Sequence, residues 1–252
     1  MGEEERVSAT IGGAPISWVA LMGALLGGGT IIPLIYYIEG GGYHSLSYAV
    51  IVLVACILGP WGATTSGLIG GIIGFFLAPG TDLSTVFTYY VLPPLAAGLI
   101  LNGKWKYVVW VPLIGLIFYE LVPWYWPGDP RLGPLPQPLL AFSPWYDFLS
   151  FPLLLTVGRK KVGEWIRGND RKKMFFGILL LQWISAEMWH LWGWAFYLEF
   201  FVPFPAYVVA VIEAFTVPFE RLMLQIVAGI VGVPILQTLR KSGLRKIPGA
   251  VW

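Results

Sequence analysis

The chain carries eight apolar stretches close to the length that crosses a bilayer, and few charges with which to meet water. A hydrocarbon core about 30 Å thick takes ~20 helical residues at 1.5 Å each. Four stretches meet that length plainly: 15–38, 61–79, 173–199 and 205–239. Shorter runs fall at 45–58, 85–101, 107–122 and 142–157. Charged residues make up 12% of the 252, about half the share that soluble domains use to wet their surfaces. Much of the outside must therefore face lipid, and the mean hydropathy of +0.72 agrees. Thirteen Trp and twelve Tyr suit the headgroup zone, where an apolar ring and a polar tip are both satisfied. The expected fold is an all-α integral membrane protein, a polytopic helical bundle forming one transmembrane domain over 1–252.

Lys and Arg collect in short cytoplasmic loops, so their positions predict orientation. They form three clusters: Lys104 and Lys106; Arg159, Lys160, Lys161, Arg167, Arg171, Lys172 and Lys173; and Arg240, Lys241, Arg245 and Lys246. Each follows an even-numbered stretch, which predicts a multi-pass protein of the plasma membrane with both termini in the cytoplasm. The weak stretch 142–157 has to cross, because otherwise the two later clusters would face outward. The segment WYWPGDPRLGPLPQPLLAFSPWY has six prolines in 23 residues and cannot be a regular helix, so 123–144 is read as an external loop. Glu120 and Asp147, beside that loop, are read as interfacial.

What the chain lacks excludes several chemistries. Cys56 is the single cysteine, which leaves no internal disulfide and no thiolate cluster. His44 and His190 are too few for bis-His haems or a two-metal centre. There is no usable HExxH, GxSxG or GxxxxGK[ST] motif. Neither enzyme activity, cofactor, metal nor nucleic-acid partner is expected.

Ionisable groups in apolar segments are costly and tend to mark a site, a pathway or a pair. Trp183, Glu187, His190 and Trp194 recur at intervals of four, three and four, which places them on one helical face. A carboxylate, an imidazole and two indoles could hold a flat polar or cationic ring by stacking, cation–π contact and hydrogen bonds. In the last stretch Glu213 and Glu220 lie seven apart, and Arg221 is read as pairing with Glu220 or Glu187. Pro218 is expected to kink this stretch. Gly67, Gly70, Gly71 and Gly74 share a face that permits close helix approach, and Ala20 and Ala24 begin a second small-residue face.

In their order along the chain, these features resemble the substrate-binding S components of energy-coupling-factor (ECF) vitamin transporters. The residues that carry the resemblance are Ala20 and Ala24 in an AxxxA pattern, Gly59-Pro60 with Gly62-Ala63, HLWGWAFY from His190, and VPFERLMLQIVAGIVGVPILQTLRK from Val217. The resemblance covers 15–105 and 174–245 as a six-helix S-component-like core, with 106–158 as an inserted helix pair. It implies a membrane-embedded subunit that captures a small vitamin-like or aromatic heterocyclic compound and is driven by partner ATPases. A transmembrane coupling subunit would dock on Ala20, Ala24 and the ridge of Gly67, Gly70 and Gly74. The loop EGGGYHS would cover the pocket as a lid, which adds Glu39 and His44 to Trp183, Glu187, His190, Trp194 and Glu213 as substrate-binding residues. Two other classes remain open. One is a structural or channel-forming subunit of a larger assembly, and the other is a membrane-embedded enzyme acting on lipid or isoprenoid.

Overall fold

Gly59 decides the shape of the first half of the molecule. The computed structural model describes residues 9–37, 42–78, 81–121, 143–200 and 211–252. Helix α1 spans Ile16–Gly29 and α2 spans Leu46–Leu77. Both ends of α2 meet the same end of α1. The Ser47 hydroxyl donates to the Leu26 carbonyl, while a Cβ at Gly74 would lie 2.7 Å from Thr30 Cγ2. In a straight helix Ser47 and Gly74 would stand about 40 Å apart, so α2 doubles back. It does so at Gly59, whose φ of 70° and ψ of −178° lie in a region essentially restricted to glycine. Pro60 then opens the returning arm, where its missing N–H costs nothing. The apolar stretches 45–58 and 61–79 are thus the two antiparallel arms of α2.

The returning arm sits between α1 and α3, the helix Leu83–Leu101. Its glycines make both contacts possible. Gly70 faces Leu26 and the Gly23 carbonyl of α1, while Gly71 faces Tyr90 and Val86 of α3. Gly67 lies on the Tyr90 carbonyl, an oxygen that Pro94, four residues on, cannot bond. The first apolar stretch is shorter than its sequence suggests, since α1 stops at Gly29 and the chain turns into a hairpin. In that hairpin β3, Pro33–Tyr36, pairs antiparallel with β4, Tyr43–Ser45. Three consecutive glycines at 27–29 weaken helix propagation, and Pro33 cannot continue it. A smaller hairpin, β1 Thr10–Ile11 with β2 Ala14–Pro15, precedes α1.

Helix α4 spans Lys106–Leu121. Segment α5 runs through Trp145–Phe148, Ser150–Leu153, a π-helical stretch Leu154–Val162 and Gly163–Arg167. Helices α6, Arg171–Phe200, and α7, Ile212–Lys241, complete the bundle. The predicted loop 123–144 lies outside the described residues except for its last two, as do positions 205–210 of the last apolar stretch. The kink expected at Pro218 is a π-helical turn, Ile212–Thr216, immediately before it. Pro218 leaves the Ala214 carbonyl without its helical donor, and the Trp145 indole N–H supplies one at 2.9 Å.

The three basic clusters gather at one end of the bundle. Arg159 lies over the Trp105 ring, Arg167 donates to the Leu101 carbonyl, and Arg240 donates to the Gly168 carbonyl at 2.7 Å. The C-terminal residues close this end, with Val251 N–H on the Cys56 carbonyl and the Trp252 indole on the Ile57 carbonyl. Large apolar side chains face outward, while acids two residues away face inward. Phe215 is 72% exposed and Glu213 is 0% exposed. Leu83–Leu101 and Ile212–Lys241 are long and apolar enough to cross a membrane, and Leu46–Leu77 is so by total length and composition although Gly59 divides it into two shorter arms, as expected of an all-α membrane protein.

Backbone proximity makes the glycine packing testable by melting in detergent. Gly67→Ala puts a methyl on the Tyr90 carbonyl and should cost about 1–3 kcal/mol. Gly28→Ala, with nothing within 4 Å of the new methyl, should be neutral or slightly stabilising.

Candidate functional site

At the end of the bundle away from the basic clusters, polar side chains from five elements meet in the interior. Helix α6 contributes Glu187 and His190, and α5 contributes Tyr146 and Asp147. Helix α7 contributes Glu213, Glu220, Arg221 and Gln225, while Tyr48 comes from α2 and Tyr89 from α3. All ten are buried. Two of them, Tyr89 and Glu213, sit on π-helical turns, where the altered helical phase re-aims a side chain.

His190 and Arg221 are the two nodes of the cluster. The Nδ1 atom of His190 lies 3.2 Å from Asp147 Oδ2 and 3.9 Å from Glu213 Oε2. Arg221 Nε lies 3.7 Å from Glu187 Oε2. Its Nη2 donates to the Tyr89 hydroxyl at 3.4 Å. The guanidinium also stands over the Tyr48 and Tyr89 rings, 4.8 and 5.4 Å from their centroids. These aromatic faces stabilise a buried cation that the carboxylate meets only loosely. On the other side, Gln225 Nε2 donates to Glu187 Oε1 at 3.5 Å, and the Tyr146 hydroxyl donates to Gln225 Oε1 at 2.9 Å. Asp147 faces both Glu187 and Glu213.

The β3–β4 hairpin reaches the same place. His44 Nε2 lies 3.0 Å from Glu220 Oε2, and its ring stacks on Tyr48 with Tyr37 edge-on. Burial, with Arg221 and His190 nearby, holds the His44 imidazole well below its ordinary range. With the proton on Nε2, the contact is a neutral N–H donating to a carboxylate.

Of the residues predicted from sequence, Glu187, His190 and Glu213 come together, and His44 covers them through Glu220. Trp183 is at the margin, stacked on Tyr146 at 4.4 Å. Glu39 and the side chain of Trp194 lie outside the described residues, as does the side chain of Glu120. Ala20 and Ala24 are exposed. Gly67, Gly70 and Gly74 are corrected: they are buried against α3 and α1, because close approach of this chain's own helices consumes the ridge. Asp147 is corrected too, being 1% exposed and bonded to His190 instead of interfacial. An acid in a stretch read from sequence as crossing the bilayer was the available signal for it. Tyr48, Tyr89, Tyr146 and Gln225 carry no such signal, since their spacing is that of ordinary packing residues. Arg221 meets Glu187, one of the two partners expected from sequence.

The chain is 27% identical over 170 residues to an uncharacterized protein of Methanocaldococcus jannaschii, a match covering 64% of this chain and 52% of that one. The chain thus spans about half the length of the curated relative it matches. No family model matches the chain, and no solved structure matches it.

Removing Arg221 strands the buried Glu187 carboxylate. Arg221→Met should lower stability by about 3–5 kcal/mol. The double variant Arg221→Met/Glu187→Gln should recover most of that loss. Thermal melting of the wild type, both single variants and the double variant gives the coupling directly.

Proposed function

We propose that the chain is the membrane-embedded substrate-capture subunit of an ECF-type importer, binding a small vitamin-like or aromatic heterocyclic compound. The observation that carries this reading is the convergence of Glu187, His190, Glu213 and Asp147 under the His44 hairpin, away from the basic end of the bundle. A purely structural membrane bundle has no need of so many ionisable groups in one place, each of which is costly to insert. Tyr48, Tyr89, Tyr146 and Trp183 add the aromatic faces that a flat ring stacks on. In this reading the chain crosses the plasma membrane eight times with both termini in the cytoplasm. The six-helix core is 15–105 and 174–245, and α4 and α5 are the inserted pair. The side with the basic clusters is cytoplasmic, so the carboxylate cluster opens to the outside and the hairpin is its lid.

The docking face for a coupling subunit narrows to Ala20 and Ala24, which are exposed together with Gly28 on one side of α1. A helix can approach closely there. Partner ATPases would supply the energy through that subunit. Coupling and ATPase subunits should co-purify with the wild type from its own membrane and be lost with Ala20→Trp or Ala24→Trp, while the variants melt as the wild type does. Retention of the same partners by both Trp variants, or no ATPase with the wild type, contradicts the assignment.

A second reading has its own support. The Asp147–His190 pair, with Glu213 on the same ring nitrogen, is a carboxylate–imidazole arrangement able to move a proton. A membrane-embedded enzyme acting on lipid or isoprenoid would use it. Turnover of such a lipid by the pure chain, abolished in His190→Gln, would establish that reading in place of capture.

A further inference from the structure

We propose that Asp147, Glu187, His190 and Glu213 form a binding site for one divalent transition-metal ion inside the bundle. Ligand atoms of Asp147, Glu187 and His190 all lie within 4.8 Å of one another, and each residue is buried. The spacing is close to that of a first coordination shell, which small side-chain adjustments would complete. With metal–ligand bonds of about 2.1 Å, the 3.2 Å between His190 Nδ1 and Asp147 Oδ2 corresponds to a ligand–metal–ligand angle of roughly 100°. The 3.9 Å to Glu213 Oε2 gives a wider angle at the same nitrogen, so both carboxylates and the imidazole can face one ion.

Two further observations point to a cation as the ligand. Both carboxylate oxygens of Glu213 are buried with no N–H or hydroxyl donor among the described residues, their neighbour being the Asp147 carboxyl, and Glu187 Oε2 is buried without a donor in the same way. Buried acceptors in that condition are rare and costly. The charges point the same way. Asp147, Glu187, Glu213 and Glu220 outnumber the single Arg221 guanidinium, so their ionised forms leave an excess of negative charge that a cation offsets, and the loose 3.7 Å contact to Glu187 leaves that carboxylate able to turn toward an ion. Carboxylate oxygens with a single imidazole and no sulfur donor suit Mn(II), Fe(II) or Zn(II) better than Cu(I). Sequence spacing gave no hint of this set, because Asp147 and Glu213 come from segments remote from the Glu187–His190 turn.

The inference concerns the same cluster as the proposed capture role but not the transport itself, and metal binding alone decides it. The full chain is purified in detergent, stripped with a chelator and titrated separately with Mn(II), Zn(II) and Co(II). Bound metal is counted by elemental mass spectrometry, and Co(II) is followed by its visible absorption. The expected result is one ion per chain and a raised melting temperature. Asp147→Asn, His190→Gln and Glu213→Gln should each weaken binding by at least about tenfold, the loss that even an outer-shell partner causes. Glu213→Gln relieves an uncompensated buried charge, so the metal-free variant should melt no lower than the metal-free wild type. That keeps loss of binding distinct from loss of folding. No stoichiometric binding of any of the three ions, or equal affinity in wild type and Glu213→Gln, overturns the proposal. Metal binding without any ATPase partner would leave the site standing and remove the importer reading.

Discussion

Arg221 is the constraint around which the rest of the structure is arranged. An ionised guanidinium inside an apolar bundle is tolerated only where opposite charge and polarisable rings reach it. Here Glu187 arrives from α6, Tyr48 from α2 and Tyr89 from α3, so a single side chain of α7 holds four segments to one geometry. Glu187 in turn faces Asp147, which brings in α5 and the His190 side chain. The carboxylates outnumber what Arg221 can satisfy, and the buried oxygens of Glu213 have no N–H or hydroxyl donor among the described residues. Structural charge pairing ends at that excess, and the case for a ligand begins there.

Backbone irregularity makes the arrangement possible. Gly59 folds α2 back on itself. The resulting pair of arms places Tyr48 near the site end and leaves the glycine-rich arm to pack between α1 and α3. Pro94 and Pro218 each deprive a carbonyl one turn earlier of its helical donor. A π-helical stretch lies on the N-terminal side of each, and Tyr89 and Glu213 sit on those stretches. A strictly α-helical path would rotate both residues away from their present directions.

Much of the architecture was legible from sequence, and the reasons differ by feature. Apolar length and the three cation clusters carry their message locally. The helical segments therefore fall close to the predicted stretches, and the clusters share one end of the bundle. The face of Glu187 and His190 was readable because helical period fixes which residues share a side. The end of α1 at Gly29 was not, because a strand pair of seven residues is indistinguishable from helix by apolarity alone. Use of the Gly67, Gly70 and Gly74 ridge inside the chain was equally hidden, since small-residue spacing does not say whose helix approaches. Asp147 and the tyrosines join the site only through tertiary contact.

The central claim is that the charge excess around His190 exists to hold something the polypeptide does not supply. Native mass spectrometry of the chain, released gently from its own membrane, tests it most directly. The account predicts a stoichiometric non-lipid species, a small molecule or a metal ion, retained by the wild type and absent from Glu213→Gln. Spectra of both proteins showing bare chain with lipid adducts alone would contradict it.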